Sequence, residues 1–384
     1  MIDWQRLYRR LLLFPAVLVV GIVRWIAPLF LVRFGIVHSS RIGHFASNVE
    51  IYLGERELGL HPKGRFGGVD IWFYDQQVCN RQLSKMVRRK LLVGPSVFTR
   101  CVYIVNLTFQ GAAKHICASA NMDRDIHDTL HKTPQHIQFT DAELRRGMKT
   151  MRDWGVMPGD KWVCLVARDS TYLPELKYHN YRDVSIKTYR KTAMMLSVHG
   201  YHVFRMGAKV AEPLGVPHPL IHDYAANGTR SDFMDIYLGA HCAFCVSTPC
   251  GIDAIPMIFR RPMCFINMVP VEYLSTWKRG IAIWKHHYKD GKHMSLKEIF
   301  ESGAGKFQRA EEFIGAGIKL VDNSSEEIYD AVSEMVNSDR NCRYIDSQDA
   351  FWSVFPFVGT DSDTSRLHGT RRLRIGHTFL ESYR

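Results

Sequence analysis

Apolar positions follow two regimes along the chain. From residue 11 to residue 32 they are nearly continuous: 11–23 carries no charge, Arg24 interrupts, and 25–32 is apolar again. Pro15 and Pro28 lie inside the two blocks, and Arg9, Arg10, Arg24 and Arg33 edge them. A spanning helix wants about 20 predominantly apolar residues, a length reached here only by counting Arg24 and both prolines. No small-x-small cleavage site follows the stretch. The pattern predicts, over residues 1–34, a kinked apolar segment lying in a bilayer interface with its arginines on anionic headgroups. A helical hairpin packed on the protein itself is the alternative.

Beyond residue 32 the apolar runs are short and alternate between strand and helix periods. A strand is predicted over 33–37, then the loop Ser39-Ser40-Arg41-Ile42-Gly43-His44 and a helix over 45–53. A strand over 69–74 and a helix over 80–89 follow, and the region to about residue 139 holds short mixed elements. Thr140 with Glu143 forms a capping box, opening a helix to about residue 154 that marks the domain border. In the second half, strands are predicted over 162–167, 201–205, 242–247 and 263–267. Helices are predicted over 184–199, 231–240, 251–259 and, from the Ser324–Glu327 capping box, to about 336. This alternation predicts an α/β chain of two Rossmann-like domains, 35–150 and 151–340, facing a central cleft, with a tail over 341–384 packing back on them.

The chain's 384 residues, 46% hydrophobic, suit two such domains. A net charge of +12 suits an anionic partner. The basic clusters at Arg88-Arg89-Lys90, Arg145-Arg146, Arg260-Arg261 and Arg371-Arg372 are short and scattered, without the aromatic interleaving of a nucleic-acid surface. No nucleic-acid partner is therefore expected. Nine cysteines without a scaffold rhythm point to a reducing compartment. Cys242 and Cys245, with His241 and Cys250 nearby, have metal-like spacing, but there is no second pair, and on a strand positions three apart face opposite sides. No metal is expected.

Ligands of open parallel sheets bind beyond the carboxyl ends of the strands, so the residues after each predicted strand matter most. Arg168 and Asp169 follow 162–167, either paired with each other or serving an anionic ligand. His179, Asn180 and Arg182 precede a predicted helix that Asp183 can cap. Arg205 and Gly207 close the next strand. Ser247, Thr248 and Gly251 open a helix whose N–H groups form an anion site. In the first half Arg41, Gly43 and His44 hold the matching loop, and Glu50 lies deeper in its helix. A transfer to a hydroxyl needs a base titrating near neutrality, for which His44 leads, with Glu50 and Asp169 behind it. No G-x-x-x-x-G-K-[ST] or G-x-G-x-x-G occurs, and the D-x-D pairs Asp123/Asp125 and Asp361/Asp363 fall outside strand ends.

Arg41-Ile42-Gly43-His44, Arg168-Asp169, the run 178–183, Arg205-Met206-Gly207, the 247–251 loop before Ile255-Pro256 and the ending Arg374-Ile375-Gly376 with Phe379-Leu380 together resemble a largely uncharacterised family of bacterial surface-polysaccharide glycosyltransferases. The resemblance covers most of the chain. Pro249-Cys250 departs from the small hydroxyl residues usual there. The resemblance implies a GT-B-like architecture and a metal-independent transfer of a sugar from a nucleotide-sugar donor to a surface-polysaccharide or lipid-linked acceptor. The nucleotide-sugar is the substrate, no cofactor is implied, and the enzyme is expected in the cytoplasm, on or anchored in the inner face of the membrane. Two alternatives stay open: a GT-B-like sugar-nucleotide epimerase, and a non-catalytic basic protein binding nucleic acid or anionic lipid.

Overall fold

The computed structural model describes residues 4–117, 124–172, 174–274, 279–337, 346–356, 369 and 373–383, with backbone alone for 4–11 and 346–347. The Asp361/Asp363 pair, Asp123 and the Arg371-Arg372 cluster lie outside the described residues. The chain divides into two units, Met1–Gln138 and Phe139–Arg384.

The first unit opens with helix α1 (Trp4–Ile26) and strand β1 (Leu31–Val37), followed by α2 (Ile42–Glu57), β2 (Gly68–Tyr74), α3 (Arg81–Arg88), β3 (Leu92–Val93), α4 (Ser96–Leu107) and the single turn α5 (Thr129–Lys132). Its sheet has the order β1-β2-β3, all parallel. The apolar segment is one unbroken helix running through Pro15, and Pro28 falls beyond its end. Its inner row of Ala16, Val20 and Val23 packs on Cys101, Val102 and Val105 of α4 beside Val32 and Phe34 of β1. The charge of Arg24, in the helix's last turn, has partners on the protein. Arg24 donates to the Asn106 side chain at 3.1 Å and to the Gln110 carbonyl, and lies 5.4 Å above the Phe109 ring. Among the described residues no helix is long and apolar enough to cross a membrane.

In the second unit, α6 (Asp141–Asp153) starts on its predicted capping box. Then come β4 (Trp162–Val166), α7 (Arg190–Val198), β5 (His202–Met206), β6 (Ile221–His222), α8 (Asp232–His241), β7 (Phe244–Ser247), α9 (Ala254–Ile258), β8 (Met263–Met268) and β9 (Gly280–Trp284). A small antiparallel sheet follows, built from β10 (His286–Lys289), β11 (Lys292–His293) and β12 (Ile318–Val321), with α10 (Leu296–Glu301) and α11 (Ala310–Gly315) between its last two strands. The chain ends with α12 (Ser325–Val336), α13 (Asp346–Val354), β13 (Arg374–Ile375) and α14 (His377–Glu381). The main sheet has seven strands in the order β13-β9-β8-β7-β4-β5-β6, all parallel. Strands buried on both faces read as unbroken apolar runs, and β4, β5, β7 and β8 are buried along almost their whole length.

The division falls before the capping-box helix, not after it. Phe139 packs against Phe233, Tyr237 and Phe259, and Gly147 of α6 lies against the Tyr237 ring, so this helix belongs to the second core. The described part of the C-terminal tail joins the same unit, with β13 as an edge strand and Phe351 and Phe379 on the Trp284 ring.

Candidate functional site: a cationic edge on the second sheet

From β4 the chain proceeds outward to β5 and β6 on one side, then returns to β7 on the other. The direction of winding reverses between β4 and β7, and the loops leaving these two strands diverge there, which is where open parallel sheets hold ligands. The loop after β4 carries Arg168 and Asp169, and that after β7 carries Thr248, Cys250 and Gly251.

Arg168 and Asp169 do not pair with each other. Arg168 bonds the Asp183 carboxylate, and its carbonyl accepts from the Val184 N–H at 3.0 Å. Asp183 is thereby spent on Arg168 and caps no helix. The run around it forms a 3-10 turn, Lys177–Arg182, and the predicted helix over 184–199 is a second short 3-10 turn leading into α7. Burial lowers the Arg168 pKa against the pull of Asp183, and raises that of Asp183 against the pull of Arg168. Asp169 accepts from the backbone N–H of Thr171 at 2.9 Å and Ala211 at 3.0 Å, and stands 3.9 Å from Arg205.

Arg205 is 1% exposed, and its Nε and Nη1 have no hydrogen-bond partner. A buried guanidinium with unmet donors is costly unless something anionic satisfies it. Gly207 follows at φ +154, with the place of a Cβ taken by Val210 at 2.7 Å. Arg182 is half-buried, lies 5.6 Å from the Tyr181 ring centre, and has an unpartnered Nε. His179 is half-buried between Tyr178 and Tyr181, while Asn180 is exposed.

The 247–251 loop departs from expectation. Ser247 and Thr248 are fully buried. The Ser247 hydroxyl donates to the Thr248 carbonyl at 2.9 Å, and the Thr248 hydroxyl bonds that of Tyr189. The Cys250 N–H, just before Gly251, donates to Asp253 at 2.9 Å. The protein's own carboxylate thus fills part of that N-terminal nest. Burial pushes the Asp253 carboxyl up to about 7.

Sequence reasoning missed Lys285, Asn267 and Asp253. Lys285 leaves the end of β9 and is 3% exposed. Its ammonium donates to the Asp183 carbonyl and to Asp322, each at 2.8 Å. Burial lowers its pKa while Asp322 opposes the shift. Asn267, at the end of β8, exchanges 2.6 Å bonds with Asn323, whose amide also donates to the Trp284 carbonyl at 2.8 Å. Both Lys285 and Asn267 end parallel strands, the same signal that exposed Arg168.

In the first unit Arg41 is exposed at the start of α2, with Gly43 and His44 half-buried in its first turn. Glu50 is fully buried, and its carboxylate accepts from the backbone N–H of His136 at 2.9 Å and Ile137 at 3.0 Å. It holds that segment in place and is not presented to a ligand. His38 was overlooked. It follows β1 as Asp75 follows β2, and Val37 is paired in register with Tyr74. Its Nδ1 lies 3.1 Å from Asp75, which also accepts from the Ser39 N–H at 3.0 Å. Burial raises the Asp75 pKa, but His38 and Ser39 outweigh it and hold the carboxyl below its usual range. The His38 and His44 rings meet edge to face at 6.2 Å.

No protein-family model matches the chain, and no curated protein matches it. Among solved structures, it is similar to a glycosyl transferase family 9 protein from Veillonella parvula at 9% identity and TM-score 0.47, covering 81% of this chain and 99% of that one. The E. coli ADP-heptose lps heptosyltransferase II matches at 12% identity and TM-score 0.43, covering 80% and 100%. The E. coli heptosyltransferase WaaC with ADP matches at 10% identity and TM-score 0.32, covering 74% and 99%. None of these reaches a TM-score of 0.5, so the functional reading rests on the site.

Proposed function

We propose that the chain is a glycosyltransferase of GT-B type that takes its sugar from a nucleotide-sugar donor. The observation carrying this reading is the cationic edge of the second sheet. Arg168 follows β4 at the reversal point and Arg205 lies at the end of neighbouring β5. Lys285, three strands away at the end of β9, is joined to Arg168 through Asp183, and Arg182 stands in the turn that Asp183 closes. A sugar transfer expels a nucleoside diphosphate, and charge grows on its oxygens as the glycosidic bond breaks. Side-chain cations at the strand ends neutralise that charge, so the reading requires no metal. Arg205 and Arg182 have N–H groups to spare, and Arg168 and Lys285 are positioned by Asp183.

The acceptor in this reading is a surface-polysaccharide or lipid-linked glycan, and a histidine removes its proton, His44 first and His38 as its competitor. The reaction in this reading belongs to the cytoplasm, in keeping with nine cysteines that lack a disulfide-scaffold rhythm.

The test is thermal stabilisation by GDP, UDP, ADP and CMP, repeated on Arg182→Ala. One of these nucleotides should stabilise the protein, and Arg182→Ala should weaken it by about 1.5–3 kcal/mol, the range for a hydrogen bond to a charged group. Stabilisation by an oligonucleotide alone, with a steep salt dependence, would replace this reading with a nucleic-acid binder. Conversion of the nucleotide-sugar without any acceptor would replace it with an epimerase.

A further inference from the structure

Among the described side chains of α1, the outer face has no polar residue. Along the helix from Leu12 to Ile26 the exposed positions are Leu13, Phe14, Val17, Leu18, Gly21, Ile22 and Trp25. Phe14, Leu18, Ile22 and Trp25 recur at the helical spacing of one stripe. Phe14 is 74% exposed and Trp25 83%. The opposite row is committed to α4 and β1, and the helix's one charge in this span, Arg24, is turned to the end of α4. The stripe continues past the helix. The Phe66 N–H donates to the Leu29 carbonyl at 2.8 Å and that of Arg65 to the Pro28 carbonyl at 3.1 Å, bringing Phe66, 70% exposed, beside exposed Leu29. A soluble protein rarely leaves so long an apolar row in water.

We propose that this face docks on a lipid bilayer bearing anionic headgroups, with α1 lying in the interface and not crossing it. Charge selects this occupant. Between Asp3 and Glu50 the sequence has no acidic residue, while Arg6, Arg9 and Arg10 occupy the first turns of the helix. Arg65 is exposed at the other end, beside Phe66. Exposed tryptophan and phenylalanine edged by arginine match a headgroup boundary. Two copies of this face would bring their cationic ends together with no counter-charge between Asp3 and Glu50. The inference stands apart from the donor site and does not depend on glycosyl transfer.

The experiment is flotation of the full chain with phosphatidylcholine vesicles, with and without phosphatidylglycerol. A Trp25→Gln/Phe66→Gln variant and a Leu18→Gln/Ile22→Gln variant run alongside. All four positions are outside the packed core, and glutamine is a good helix former, so the melting temperature should hold, and the pair that keeps it is the one to read. The chain should float with phosphatidylglycerol vesicles, and the variants should lose about tenfold or more in partitioning, as interfacial binding scales with the apolar area buried. The proposal fails if the chain floats with neither vesicle. It fails equally if it binds phosphatidylcholine alone as well, or if the same variants abolish a dimer while vesicle binding is absent.

Discussion

Arg205 carries, at single-residue scale, the strongest support for reading the second sheet's edge as a site. Two carboxylates act on it, Asp223 and Asp169. Asp169 stands 3.9 Å away and already accepts from the Thr171 and Ala211 N–H groups, and Asp223 accepts from the Leu214 N–H. A structural arginine would be satisfied in place, whereas this one keeps donors open. Replacing a poorly paired buried charge with an apolar residue of similar volume is often neutral or stabilising. Arg205→Met should therefore leave the melting temperature unchanged or raised, yet cost roughly 1.5–3 kcal/mol of nucleotide affinity by calorimetry. A variant that melts early and binds normally would make Arg205 a structural residue. Asp253 gives a pH signature. Its carboxyl titrates near 7 in the folded chain against 3.8 ordinarily, so from about pH 4 to pH 7 the unfolded chain has lost a proton that the folded chain keeps. Stability through this group falls as pH rises across that window. Asp253→Asn keeps the acceptor for the Cys250 N–H and removes the titration, so its stability relative to the parent should improve between about pH 4 and pH 7 and level off above. Melting curves showing no relative gain would refute this. For the base, His44→Ala should keep nucleotide affinity and lose about 10²–10⁴ in turnover. Turnover retained there and lost in His38→Ala would move the role to the histidine that Asp75 orients.

Helix α6 makes the argument at the scale of an element. A glycine inside a helix is ordinarily a defect, and alanine there would stabilise by about 1 kcal/mol. Gly147 reverses the sign, because a Cβ would stand 2.0 Å from the Tyr237 ring. Gly147→Ala should destabilise by about 1–3 kcal/mol, the usual cost of overpacking, read as a lower urea midpoint at unchanged m-value. A stabilised variant would show that α6 and α8 are not packed this closely. The same element shows what local chemistry reveals. The capping boxes at Thr140 and Ser324 were legible because both partners lie within one turn. The strands β4, β5, β7 and β8 were legible because burial on both faces leaves apolar runs. Arg168 and Arg205 followed from the strand-end rule, and Arg182 from the polar run before a predicted helix. What stayed hidden depends on distant partners. Lys285 reads as an ordinary surface lysine until Asp183 and Asp322 meet it, and the His38–Asp75 pair exists only through the register of β1 on β2. Ser247 and Thr248 failed as ligand contacts for the same reason. Nothing local says that Tyr189 will claim one hydroxyl and that the other will turn back to the chain.

At the scale of the whole molecule, the two units bear on what truncation can show. Removing residues 1–32 to detach the apolar segment would also take Leu31 and Val32 from β1 and uncover Val102 and Val105. The outcome would be a damaged first unit, and its solubility would say little about lipid. This is why point substitutions on the outer face of α1 are the informative test. The second unit is different. Residues 139–384 contain the whole seven-stranded sheet, α6 with its cap, and Arg168, Arg182, Arg205, Lys285 and Asp253 together. The carboxylate partners named for these residues all lie in the same stretch: Asp169 for Arg205, Asp183 for Arg168, Asp322 for Lys285. A chain of this size buries enough surface to fold by itself, and a diphosphate held by these cations needs nothing from residues before 139. Expressed alone, 139–384 should melt cooperatively and bind the nucleotide within a few-fold of the full chain, about 1 kcal/mol, while transferring no sugar, since His44 and His38 are gone. A cooperative fold with nucleotide affinity lost would mean that residues 1–138 complete the phosphate site, and the cationic edge would then be only part of the donor's binding surface.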